Sequence, residues 1–222
     1  VVGHFQEFED EYLEMMFEFH ESEPGGVVRT GDLASSLEVS PASATEMVQR
    51  LASRGLLEYI PYKGARLTED GLAHGQKMKR RHRLAQVLLD MLPYSGNFYD
   101  TACRLEHAID DEMEIALSRL ISDETRDPNG RVIPDPTADI AQRLSEQPPH
   151  VSLHGLADGG SGTLSIVLLP AEEVSAMNQQ GFVVGARIKR EGHTFSLEGG
   201  KVAQLSDAVM KCIFVNIAND SA

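Results

Sequence analysis

The sequence has no tryptophan and only two cysteines, Cys103 and Cys212, in 222 residues. Two distant thiols make no disulfide framework, so a reducing cytoplasm is the expected compartment. No apolar run approaches the roughly 20 residues that span a bilayer, which predicts no membrane partner. No basic segment followed by an apolar one opens the sequence, so no secretory signal is expected. Lysine is scarce, 6 against 14 arginines, and residues 1–24 hold 8 acids with no lysine or arginine at all. A His-Glu-x-x-His run and a Gly-rich phosphate loop are both missing. That argues against a metal-dependent hydrolase and against a small organic substrate.

What the chain does have is unevenly placed charge. Between Arg29 and Arg83, 10 basic residues meet 6 acidic ones, a local +4 in a chain of net charge −14. A basic island in an acidic chain is the footprint of a nucleic-acid binder. The length suits two or three domains.

Apolar periodicity predicts a first helix over residues 5–21 through Phe5, Phe8, Tyr12, Met15, Met16 and Phe19. A short helix follows at 30–36. Ser40 is an N-cap and Pro41 an N1 residue for a second helix with Met47, Val48 and Leu51 inside, ended by Gly55. Leu57–Leu67 predicts two short strands joined by a turn at Lys63-Gly64. Thr68 caps a long helix to about Leu92, with Glu69 and Asp70 at the positive end of its dipole. Two further helices are predicted at 97–109 and 110–121, and a Pro- and Asp-rich linker at 123–149. Beyond Pro149, β-like runs at 151–156, 162–169, 186–190, 194–197, 201–205 and 212–217, with one helix at 171–180, predict a small β-barrel. The fold class is mainly α with α+β elements.

Short helix, tight turn, capped helix and β-wing describe a winged helix-turn-helix. Its candidate DNA contacts are Arg29, then Ser40, Pro41, Ala42, Ser43, Thr45, Glu46, Gln49 and Arg50 on the capped helix, and Lys63 and Arg66 on the wing. The Ser43 N–H suits a phosphate. Lys77, Lys79, Arg80, Arg81 and Arg83 read as a mixture of DNA affinity and partners for the acidic first helix. A second chemistry lies in Cys103-Arg104-Leu105-Glu106-His107. On a helix, Cys103 shares a face with Glu106 (i, i+3) and His107 (i, i+4). Sulfur mixed with nitrogen and oxygen suits a first-row transition metal better than calcium or magnesium.

These motifs, in this order, resemble the DtxR/MntR family of iron- and manganese-dependent repressors. The resemblance runs through Asp32-Leu33-Ala34, Ser40-Pro41-Ala42-Ser43-Ala44-Thr45, Arg54-Gly55-Leu56-Leu57 and Leu67-Thr68-Glu69-Asp70-Gly71. It continues in His82-Arg83-Leu84-Ala85, Ala102-Cys103-Arg104-Leu105-Glu106-His107 and Pro128-Asn129-Gly130…Ile133-Pro134. It implies a winged helix-turn-helix domain (1–75), a helical dimerization and metal-binding domain (76–145) and a C-terminal SH3-like, FeoA-like β-barrel (150–222). It also implies a homodimer that binds a palindromic double-stranded DNA operator and represses metal-uptake genes when metal is plentiful.

The resemblance places Cys103, Glu106, His107 and His82 on ligand positions. Glu11 falls where iron regulators present Met and manganese regulators Asp, and Glu14 where manganese regulators present Glu. Sulfur at Cys103 points to Fe²⁺, and the acids at Glu11 and Glu14 point to Mn²⁺; the expectation is Fe²⁺, with Mn²⁺ the alternative. Co²⁺, Ni²⁺ and Zn²⁺ are expected to substitute in vitro. The ancillary site of the iron branch is not expected in its usual form. Gln86 and Tyr99 stand where that branch has Glu and His, and Pro170 and Glu173 where its C-terminal domain supplies ligands. Glu172 or Glu173 is the remaining candidate ligand from that domain. A metal-independent winged-helix regulator and a peptide-binding role for the SH3-like domain are the rival readings.

Overall fold

A computed structural model describes residues 3–121, 125–146, 150–197 and 200–217. The chain forms two compact units, Val1–Glu114 with Thr125–Ala141 and Ile115–Glu124 with Gln142–Ala222.

The first unit begins with α1 (Gly3–Ser22), which buries Tyr12, Leu13, Met16 and Phe17. Helices α2 (Thr30–Ser36) and α3 (Pro41–Ser53) form the helix-turn-helix, closed over Leu33, Ala34, Ala44, Val48 and Leu51. Ser40 is the N-cap of α3, its Oγ accepting the Ser43 N–H at 3.1 Å. Strands β1 (Leu57–Ile60) and β2 (Gly64–Leu67) pair antiparallel as the wing, with Ile60 opposite Gly64. The turn is therefore Pro61–Lys63, earlier than expected, and Tyr62 takes the positive φ of 63°. Gly64 also has a positive φ, 136°, and a Cβ there would sit 2.0 Å from the Val28 carbonyl oxygen.

Thr68 caps α4 (Glu69–Met91), its hydroxyl accepting the Gly71 N–H. Helices α5 (Phe98–Glu106), α6 (Asp111–Ile121) and α7 (Ala138–Ser145) follow. Helix α5 is shorter than the predicted 97–109, with His107 as its C-cap. Helix α7 lies inside the stretch read as linker. It buries Ile140 completely and carries Asp139 in its first turn, where the dipole favours an acid. Of that linker, 123–124 and 147–149 lie outside the described residues.

The second unit is a six-stranded antiparallel sheet in the order β3-β8-β4-β5-β6-β7. Its strands are β3 (His150–Ser152), β4 (Ser161–Val167), β5 (Arg187–Glu191), β6 (Thr194–Leu197), β7 (Val202–Gln204) and β8 (Ile213–Asn216). Leu153, Leu164, Phe182, Ile188, Phe195 and Ile213 fill its core, and the sheet fits the SH3-like expectation. Besides α8 (Ala171–Gln179) it holds α9 (Asp207–Lys211), which the sequence reading missed. Five residues capped by Ser206 are too few to display a helical period.

Helix α4 meets α1 at close range. A Cβ on Gly75 would lie 2.4 Å from the Leu13 carbonyl oxygen, whereas one on Gly31 meets nothing within 4 Å. Gly75→Ala is expected to destabilise the protein by about 1–3 kcal/mol through overpacking. Gly31→Ala, in open space, is expected to be neutral or to stabilise by up to about 1 kcal/mol. Denaturant unfolding of the two variants checks this; equal midpoints would contradict the close approach.

Candidate metal centre and nucleic-acid interface

Three elements converge on the first unit's polar core. From α4, His82 directs Nδ1 to within 2.6 Å of Glu106 Oε2 and 3.8 Å of Cys103 Sγ, both on α5. From α1, Glu14 Oε1 lies 3.7 Å from the same nitrogen. One ligand atom from each of His82, Cys103 and Glu106 lies within 4.8 Å of the other two. The side chains of His82 and Glu106 are 1% exposed. Both His82 Nε2 and Glu106 Oε1 are buried without a hydrogen-bond partner, a state that buried polar atoms rarely keep unless something else satisfies them. A nitrogen, a sulfur and carboxylate oxygens held together this way fit a first-row divalent metal ion.

Burial governs the protons on this cluster. Burial pushes the His82 imidazole down to about 4, so the ring is neutral. Burial, then Glu106 and Glu14, push the Cys103 thiol up to about 12. Burial and the adjacent Glu14 likewise raise the Glu106 carboxyl well above the usual carboxylate range. The Tyr99 ring lies 5.2 Å from the His82 ring, and its hydroxyl is raised by burial and Cys103. Lys79, 2% exposed, places Nζ 3.0 Å from Glu14 Oε1 and 2.5 Å from Glu18 Oε2. Burial opposes its charge, but Glu14 and Glu18 more than offset that.

The remaining candidate ligands lie outside that three-residue cluster. His107, the C-cap of α5, keeps helical backbone angles, φ −73° and ψ −21°, and its ring lies between Glu106 and α1. Its Nε2 is 3.5 Å from Glu106 Oε1 and its Nδ1 is 3.5 Å from Asp10 Oδ2. Asp10 raises the His107 pKa, and Asp10 Oδ1 also lies 2.6 Å from His74 Nε2. Glu11 is exposed on α1; burial of part of it and Glu14 raise its carboxyl while His107 opposes. Gln86 is buried and accepts from Arg131. Glu172 and Glu173 are exposed in the first turn of α8 in the second unit, where Glu173 lies close enough to Cys212 to help raise its thiol pKa. Sequence reasoning missed Asp10, His74 and the burial of Lys79. Nothing local marks them, since these partners lie 61 to 97 residues away.

On the winged helix, Ser40, Pro41, Ala42, Ser43, Glu46 and Gln49 are exposed along one end of α3, and Thr45 is half-buried, its hydroxyl donating to the Pro41 carbonyl. The Ser43 N–H is not open to a phosphate, because Ser40 Oγ already accepts it. Arg50 Nε lies 2.9 Å from Glu9 Oε1, and Arg54 pairs with the same buried carboxylate. Arg66 pairs with Glu58 across the wing at 2.7 Å. Among the described residues, Arg29 and Lys63 are exposed without a carboxylate partner. The basic run on α4 is turned inward: Lys79 and Arg83 hold Glu14, Glu18 and Glu21 of α1, while Lys77, Arg80 and Arg81 hold Asp111 and Glu114 of α6.

Residues 4–65 match the family described as iron dependent repressor, N-terminal DNA binding domain. Residues 68–135 match iron dependent repressor, metal binding and dimerisation domain. The diphtheria toxin repressor of Corynebacterium efficiens is 29% identical over 216 residues, covering 92% of this chain and 93% of that protein. The HTH-type transcriptional regulator MntR of Geobacillus kaustophilus is 34% identical over 99 residues, 44% of this chain and 69% of that protein. Among solved structures, a manganese-dependent transcriptional repressor in complex with manganese has a TM-score of 0.51 at 25% identity, covering 94% of this chain and 99% of that one. The crystal structure of T. acidophilum IdeR shares the fold, with a TM-score of 0.50 at 22% identity over 94% of this chain and 97% of that one.

A cluster loaded with protons must shed them to take up an ion. Cys103 and Glu106 are the groups raised above neutrality, so Co²⁺ affinity is expected to rise about tenfold to a hundredfold per pH unit around pH 7. Calorimetric titration in buffers of different ionisation heat reads the same release directly. An affinity flat from about pH 6 to about pH 8 would contradict the protonation assigned to these groups.

Proposed function

The chain belongs to the iron-dependent repressor family, the DtxR/MntR family, and from that premise we propose that Fe²⁺ activates it through a centre built from His82, Cys103, Glu106, His107 and Glu14. It is a metal-dependent transcriptional repressor, not an enzyme, with DNA and a second copy of itself as partners. No helix among the described residues is long and apolar enough to cross a membrane, and a cytoplasmic site of action is part of the proposal. So are the palindromic operator, the metal-uptake genes under it, and the division into domains at 1–75, 76–145 and 150–222.

The observation that carries the reading is the convergence of the His82, Cys103 and Glu106 donors, with Glu14 of α1 3.7 Å from His82. Helix α1 also grips α3, because Glu9 holds Arg50 and Arg54. A bound divalent ion supplies the positive charge that lets Cys103 and Glu106 ionise. Glu14 and His107 then have reason to stay against α4 and α5, and Glu9 carries that restraint to α3. The exposed end of α3, Ser40 to Gln49, enters the major groove, with Arg29 and Lys63 on the backbone. Two copies present their α3 helices to half-sites about 34–36 Å apart. DNA affinity rises because the ion favours the DNA-competent arrangement.

Sulfur in the cluster supports Fe²⁺ over Mn²⁺. Glu14, 3.7 Å from His82, favours the second reading, a manganese regulator in which Glu11 joins it. A gel-shift titration run without oxygen tests the proposal. Fe²⁺ is expected to strengthen operator binding over chelator-treated protein, and Glu106→Ala to abolish that difference with the fold intact. Equal DNA affinity with ion and with chelator would sink metal activation. Cys103→Glu is expected to move the response toward Mn²⁺; an unchanged preference would rule out sulfur as the discriminator.

A further inference from the structure

We infer that Asp10 and His74 act as positioning residues that set which nitrogen of His107 faces the metal centre. The inference rests on His107 as an ion ligand, and it concerns the opposite side of that ring. Asp10 on α1 sends Oδ1 to His74 Nε2 at 2.6 Å and Oδ2 toward His107 Nδ1 at 3.5 Å. His107 Nδ1 is buried and has no hydrogen-bond partner of normal length. The carboxylate is the acceptor facing it. The other ring nitrogen, Nε2, points to Glu106 Oε1 at 3.5 Å.

A carboxylate is acceptor-only, so both of its imidazole neighbours must present N–H groups to it. An N–H on His107 Nδ1 leaves the lone pair of a neutral ring on Nε2, the side of Glu106. Carboxylate–histidine pairs of this kind fix the tautomer and orientation of metal-bound imidazoles, and losing them typically weakens the metal by 10- to 100-fold. The 3.5 Å separation is long for a hydrogen bond. It is the separation expected to close when His107 turns onto an ion.

His74 keeps Asp10 in place. The Asp10 side chain is 12% exposed, and a carboxylate so nearly buried needs more than one donor. His74 projects from the first half of α4, 33 residues before His107. Asp10, His74 and His107 thus tie α1, α4 and the end of α5 at one point. They wall a cavity of about 400 Å³ together with Glu7, Lys77 and Glu106.

Two measurements on the full chain test this. The first is side-chain ¹⁵N NMR of metal-free protein at a pH where His107 is neutral. Wild type is expected to show His107 protonated on Nδ1; Asp10→Asn and His74→Leu are expected to shift it toward the Nε2–H form, and His74→Gln, which keeps a donor, to restore it. The second is Co²⁺ titration. Asp10→Asn is expected to weaken Co²⁺ about 10- to 100-fold, Asp10→Glu to recover part of the loss, and Asp10→Asn to add nothing on top of His107→Ala. Unchanged Co²⁺ affinity in His107→Ala would overturn the ligand reading, and the relay with it. A loss in His107→Ala with neither tautomer nor affinity altered in Asp10→Asn would overturn the relay alone. A misfolded Asp10→Asn leaves His74→Leu and His74→Gln to decide by the NMR criterion.

Discussion

Carboxylates on α1 packed against cations and imidazoles on α4 form the contact on which the rest of the structure depends. Asp10, Glu14, Glu18 and Glu21 recur on one face of α1. In the same order along α4 they meet His74, Lys79 with His82, Lys79 again, and Arg83. The order of these pairs shows that the two helices run in the same direction. Gly75 permits the closeness that the pairs require. Such part-buried pairs add little net stability, because desolvation and solvent screening consume most of the Coulombic gain. Removing one partner is another matter, since it strands a charge in a poor solvent. The contact therefore fixes register more than it adds stability, and register is what a metal centre divided between helices needs.

On the proposed reading, α1 is the element both events share. Within three consecutive residues it offers Glu9 to the arginines of α3, Asp10 to two histidines, and Glu11 to the solvent side of the centre. Glu14, one turn on, stands between His82 and the Lys79 ammonium. The lysine pairs with Glu14, while burial holds protons on Cys103 and Glu106. A protonated thiol and carboxyl spare the cluster the repulsion that a bare thiolate and carboxylates would impose. Coupling of this kind needs no long pathway: the helix that closes on the ion is the helix that holds the reading head.

Much of this was legible in the sequence where the signal is local. Ser40 with Pro41, Thr68 with its acidic first turn, and the capped helix ahead of a wing are short-range chemistry, and the structure has them at those residues. Cys103 and Glu106 were visible as neighbours on one helical turn. His107 was placed by the same helical spacing and by the resemblance; as the C-cap of α5 its ring lies between Glu106 and Asp10, 3.5 Å from each. The basic run from Lys77 to Arg83 misled through composition. Its charges are matched by acids about 30 to 65 residues away, so the local excess of positive charge overstated what is left for DNA. Helices α7 and α9 were too short, and α7 too close to prolines, for a period to show. His74 had no signal of its own, because its meaning comes entirely from Asp10.

The central claim is that α1 carries the effect of the ion from the centre to α3. Amide hydrogen exchange, followed without oxygen in Fe²⁺-loaded and in chelator-treated protein, tests it most directly. Slower exchange with Fe²⁺ is expected in both α1 and α3, with α9 in the second unit unchanged. Slower exchange confined to α4 and α5, with α1 and α3 the same in both states, would contradict it.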